Sequence, residues 1–289
     1  MMITGHLTGM RGKTKIARYI LTQKPGAKTR LLRFVKPSVK PRNTYQRDLQ
    51  RYIDTLAATT EQRINTVLAT GYRRAADGVA LDDAGMMGML RSVFEGLQES
   101  VTGQIARFAR STAGRFIDGA SESESAAMRK AFRSTFGVDV SSLLLGQTFD
   151  KKYQDELAVA LEENISLIKS IPSQYLDKVE RVVMSGVRAG NRATDIEGEI
   201  QKIHGQSRRR CRVIARDQMQ KVVNSLDLVR GRDMGVEEYQ WRTVEDERVR
   251  KTHAFNDLKY FRLDTPPPIT GHPGHDVQCR CVKRLLIEI

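Results

Sequence analysis

The segment from Trp241 to Cys281 gathers the only tryptophan of the chain, two of its three cysteines and three of its five histidines. Within it, residues 265–275 read Thr-Pro-Pro-Pro-Ile-Thr-Gly-His-Pro-Gly-His. Four prolines and two glycines in that run remove amide donors and fix or free φ, so no helix or strand passes through it. Regular structure is confined to short pieces on either side. Val236, Tyr239, Trp241 and Thr243 approach the two-residue period of a half-buried strand. Asp246 offers a cap, and Val249 and His253 fall four apart, which predicts a short helix ended by Asn256-Asp257. Residues 258–263 read as a second strand. Residues 277–289 read as a third, on which Cys279 and Cys281 share a face.

Two cysteines separated by one residue of extended chain do not readily bond each other, given the Cα separation and sulfur dihedral a disulfide needs. Two readings of the pair follow. The thiolates, with His253 and with His275 (or His272) arriving from the Pro-Gly loop, form a closed, structural zinc site. Alternatively they are buried free thiols packed under Trp241, and His253 is an ordinary hydrogen-bonding histidine. No activating signature accompanies them: the chain has no phosphate-cradling glycine loop, no His-Glu-x-x-His and no deaminase His-x-Glu pairing.

The order Trp241, Asp246, Val249-Arg250, His253, Phe261, Pro273-Gly274 and Cys279-Arg280-Cys281 resembles the tailed-phage head morphogenesis family, the minor head proteins related to the F protein of phage Mu. The resemblance begins near Ile171 and takes in the arginine-rich helix around Ile214-Ala215-Arg216. Where the family shows a threonine and a glutamate after that arginine, this chain has Asp217 and Gln218. The resemblance implies a minor head protein at the portal vertex and capsid interior of the virion, made in the host cytoplasm. Its implied partner is the portal protein, with capsid or scaffolding proteins and packaged double-stranded DNA as further ones, in head assembly or DNA ejection. With no activating signature in the chain, a non-enzymatic role is expected. The rival class is a metal-dependent enzyme carried in the capsid, such as a nuclease with a metal and histidines as its centre; His253, Asp257 and a cysteine would be the corresponding nucleophilic constellation.

Charge is the most uneven property. Residues 1–51 hold thirteen basic side chains against Asp48 alone, so +12 of the formal +14 resides there and the remainder is nearly neutral. The candidate gripping residues are Arg11, Lys13, Lys15, Arg18, Lys24, Lys28, Arg30, Arg33, Lys36, Lys40 and Arg42. Prolines 25, 37 and 41 predict an extended arm over residues 1–43, with Ile16, Tyr19-Ile20-Leu21 and Leu31–Val35 as apolar footholds. Such an arm contacts DNA phosphates, docks on an acidic protein surface, or serves as a solubilising tail. Few aromatics interleave with it, which argues against stacking on single strands.

From Asn43 apolar residues recur at three and four positions, predicting a helix over 44–76 stopped by Asp77-Gly78. Further helices are predicted at 86–116 and, from the Ser-Glu-Ser-Glu-Ser signature, 121–136, with 141–146 as a connector. Pro172 divides helices at 155–169 and 173–189, and Gly205 divides 194–204 from 207–233. The expected organisation is the arm, a helical spacer over 44–170 and a terminal module over 171–289. The fold class is mainly α with a C-terminal α+β module: long helices, then a small antiparallel-strand domain. No run reaches the roughly 18 apolar residues of a membrane span, so no membrane partner is expected. An odd cysteine count fits a reducing compartment.

Overall fold

Apolar stripes at helical spacing dictate most of the chain's structure, and the two-residue period appears only near its C-terminal end. The computed structural model describes residues 13–76 and 83–289; Arg11 and the expected stop at Asp77-Gly78 lie outside them. The helices are α1 Lys15–Gln23, α2 Lys40–Ala76, α3 Asp83–Phe136, α4 Ser141–Thr148, α5 Lys151–Arg188, α6 Ala193–Asp233 and α7 Lys251–Asn256. The strands are β1 Arg30–Leu31, β2 Glu238–Arg242, β3 Tyr260–Arg262 and β4 Val282–Ile287. The protein is therefore mainly α with a small α+β portion, as its periodicities predict.

The helices are longer than the punctuation suggests. α3 runs through six glycines and the Ser-rich stretch, α5 contains Pro172, and α6 passes Gly205. Residues 141–148 form a helix where a connector was expected. In each long helix the buried stripe continues across the supposed break. In α6 it runs Ile196, Ile200, Ile203, Ser207, Cys211, Ile214, Met219, Val222 and Leu226. Burial of that face outweighs the roughly 1 kcal/mol a glycine costs.

Two compact units emerge, each discontinuous in sequence. The helical unit comprises residues 43–116 and 161–215. Its interior holds Leu49, Ile53, Phe94, Leu97, Ile168 and Tyr175. Tyr45 stacks on Phe116 at 4.3 Å and its hydroxyl donates to Asn164 Oδ1 at 2.9 Å. Asp54 accepts from Arg208 and lies 2.8 Å from His204 Nε2.

The sheet unit comprises residues 1–42, 117–160 and 216–289. Its strands are ordered β1-β4-β2-β3, and every neighbour is antiparallel. Tyr239 pairs with Leu285 and Trp241 with Lys283 across β2 and β4. Leu285 and Ile287 from β4, Tyr239 and Trp241 from β2, Phe132 and Phe136 from α3, and Ile16 and Ile20 from α1 share one core. The described part of the basic arm thus belongs to this core and is not an extended tether. Thr14 caps α1 by accepting from the Ala17 amide, the footholds Ile16 and Ile20 are buried together with Ala17, and β1 pairs with β4. Pro25 and Pro37 fall outside regular elements, and Pro41 sits in the first turn of α2, where its missing N–H costs nothing.

A buried charged group ties α6 to α3 and α4 inside this unit. Arg230, fully buried, donates to Glu124 Oε2 at 3.0 Å, to the Leu144 carbonyl at 3.0 Å and to Ser125 Oγ at 2.8 Å, over the Tyr153 ring. Burial, with Asp227 nearby, raises the Glu124 carboxyl above its ordinary range. Its Oε1 has no hydrogen-bond partner among the described residues.

Candidate functional site

β2, α7 and the turn before β4 converge on His253, Cys279 and Cys281. The three side chains are 2–4% exposed, and their ligand atoms all lie within 4.8 Å of one another. His253 Nδ1 is 3.6 Å from Cys279 Sγ and 3.4 Å from Cys281 Sγ. His253 Nε2 lies 2.9 Å from Asp276 Oδ2. A carboxylate only accepts, so the Nε2 proton goes to Asp276 and the Nδ1 lone pair faces the sulfurs. The Trp241 ring covers the imidazole edge-on at 5.5 Å. The two thiols are free and unequal. A hydrogen bond from Cys281, aided by the Gly274 amide, holds Cys279 well below the usual thiol range, and the same bond raises Cys281.

Local backbone chemistry places these groups. The cysteines lie in a turn before β4, not on a strand as their spacing predicts. Gln278 there takes a left-handed φ of 57°, held by its amide donating to Asp217 Oδ1 at 2.7 Å, and Cys279 N–H closes on the Asp276 carbonyl. Gln220 of α6 holds the Cys281 carbonyl at 3.1 Å. Gly274 has φ 91°, and a Cβ there would stand 2.6 Å from Asn224 Nδ2. The Pro273-Gly274 turn is buried and presses against α6, directing His275 outward.

Several expectations are corrected by this arrangement. His275, 74% exposed at its side chain, is not among the converging ligand atoms. His272 is not either: its Nδ1 meets the Tyr239 hydroxyl at 3.0 Å, and burial lowers its pKa to about 4. Asp246 does not cap α7, which starts at Lys251 after Arg250. Instead it accepts from Arg280 Nη2 at 2.6 Å and from the Arg248 amide at 3.1 Å, joining the β2–α7 loop to the cysteine turn. Arg250 donates to the Val277 carbonyl at 2.9 Å and lies 3.7 Å from Asp276. Sequence reasoning missed Asp276, Asp217 and Asn224. Asp276 was legible as a carboxylate three residues before Cys279; the other two sit on α6, and nothing in their spacing announces the contact.

Beside the cluster, within the same unit, opens a cleft of about 950 Å³. Arg33, Lys36, Arg42, Arg216, Arg242, Arg248, Arg250, Arg280 and Arg284 line it against one acid, Asp227, with Phe34, Val39 and Val244 as apolar footing and Cys279 at its wall. Some of these cations are spoken for: Arg280 by Asp246, Arg242 by Glu245 at 2.7 Å. Arg33, Lys36, Arg216 and Arg248 have no ion-pair partner among the described residues. Other arm cations are anchored internally, Lys15 on Asp233 at 2.7 Å, Lys24 on the Phe136 carbonyl and Arg30 on the Thr135 carbonyl. Arg18, Lys28 and Lys40 are exposed, and Lys13 is half-buried.

Residues 177–284 match the family described as phage Mu protein F like protein, so the chain carries a Mu F-like region that includes the cluster, its turn and all of α6. An uncharacterized protein of Haemophilus influenzae is 29% identical over 257 residues, covering 89% of this chain and 56% of that protein. The chain thus spans little more than half the length of that relative. No solved structure matches.

Proposed function

We propose, on the premise that residues 177–284 form a Mu F-like region, that this chain is a minor head protein of a tailed phage, a non-enzymatic virion component acting in head assembly or DNA ejection. That match is the observation that carries the reading. The cationic cleft supports it, because the components of a phage head, its packaged DNA and the acidic faces of proteins such as the portal, are the anions such a surface fits. In this reading the arm and the Mu F-like region act together: Arg33, Lys36 and Arg42 come from one, Arg216, Arg248 and Arg284 from the other. The arm is then one wall of a grip and not a free tether. No helix among the described residues is long and apolar enough to cross a membrane.

The test is to purify intact particles from a lysogen carrying the gene and probe them by mass spectrometry, and to co-purify the full-length chain with the portal protein. The reading expects the chain in DNA-filled heads and retention on the portal. Its absence from particles assembled while the protein is being made would end the proposal.

A further inference from the structure

We propose that His253, Cys279 and Cys281 bind one zinc ion, with a water completing the tetrahedron. The donor set comes first: two sulfurs and an imidazole nitrogen are the ligands zinc takes in closed sites and in three-ligand sites alike. Geometry comes second. A tetrahedral zinc with its usual bond lengths to sulfur and nitrogen sets each sulfur-to-nitrogen edge at about 3.6 Å. The two edges present are 3.6 and 3.4 Å, close to that spacing, and the three ligand atoms all lie within 4.8 Å of one another.

The surroundings are those of a ligand set, and they distinguish it from thiols that merely fill space. Asp276 accepts from His253 Nε2 at 2.9 Å, which fixes the ring and turns the unprotonated Nδ1 toward the sulfurs, the role a carboxylate plays behind a zinc-bound histidine. The Gly274 amide donates to Cys279 Sγ at 3.4 Å, a bond suited to a thiolate. A purely apolar filling needs neither. The turn is built to hold both sulfurs on one side of the imidazole: Gln278 is left-handed with its amide held by Asp217, and the Cys281 carbonyl is held by Gln220, both residues of α6. Among the described residues no fourth protein ligand joins the three. Cys279 also borders the cationic cleft, which gives a water its route to the remaining position.

This inference is independent of the head-protein reading, because it is tested on the purified full-length chain alone. Elemental analysis of protein prepared without chelator is expected to give about one equivalent of zinc. Exchange for cobalt(II) is expected to give intense visible bands of tetrahedral cobalt and near-ultraviolet sulfur-to-cobalt charge transfer. Cys281→Ser, Cys279→Ser and His253→Ala should each lower the zinc content, while His275→Ala and Cys211→Ser keep it. Since a cysteine variant that fails to fold would also lose metal, the cobalt spectrum of the unaltered protein decides the matter. Folded protein with less than about a tenth of an equivalent of zinc that takes up neither metal, or a native mass showing the two thiols oxidised to each other, would overturn the assignment.

Discussion

Gly274 shows how little freedom single positions around the cluster have. Its φ of 91° is strained for any L side chain, and a Cβ would meet Asn224, whose side-chain oxygen accepts from the buried Lys283 ammonium at 2.8 Å. Gly274→Ala should therefore cost about 2–3 kcal/mol in urea unfolding. His272 yields a prediction of a different kind. Burial lowers its folded pKa to about 4 from an ordinary 6.5, so the folded state binds fewer protons than the unfolded chain between those values. The stability it contributes is present above pH 6.5 and lost as pH falls toward 4. Urea midpoints measured across that window should decline with acid, and His272→Gln should flatten the decline. An unchanged slope in the variant would remove His272 as the cause.

At the scale of elements, Gly205 separates propensity from context. The space beside it is open, its backbone is helical, and the buried stripe of α6 runs past it. Gly205→Ala should stabilise the protein by about 0.5–1 kcal/mol, read as a raised melting temperature, whereas a true helix stop would be destabilised by the same change. The example explains what was legible. The terminal strands and the short helix between them could be read from Trp241, Tyr239 and the proline run, because turn chemistry and alternation act over a few residues. Gly205, Pro172 and Ser121 were misread as boundaries, because a local breaker is overruled by apolar residues seven or more positions away on the same face. The candidate site was half legible. The spacing of Cys279 and Cys281 and the presence of His253 pointed to the three side chains that converge, but whether His272, His275 or neither joins them depends on how Pro273-Gly274 turns against α6. The closure of the arm onto the sheet was hinted at only by Ile16, Ile20 and Leu32 amid the basic residues.

For the whole molecule, the distribution of charge matters more than its total. If the cleft grips duplex DNA through Arg33, Lys36, Arg216, Arg248 and Arg284, the logarithm of affinity should fall with the logarithm of salt at a slope of about −4 to −5. A grip by every cation of the arm would bring the slope to about −9 or beyond. Arg216→Ala and Arg248→Ala should each reduce the slope by about 1, and Lys15→Ala, already paired with Asp233, should leave it unchanged; fluorescence anisotropy across a salt series checks all three. The pairing of Arg30 with Ile287 and of Leu31 with Leu286 has a temporal consequence. β4 lies between β1 and β2, and the Ile289 amide reaches Thr29 across 260 positions. While the nascent polypeptide is still emerging, its first strand has no neighbour to zip against, and the most cationic stretch must wait beside the ribosome for residues 282–287 to appear. Closure of this unit is thus postponed until translation has passed β4, and a product cut short before residue 282 would leave β1 stranded and one flank of β2 bare.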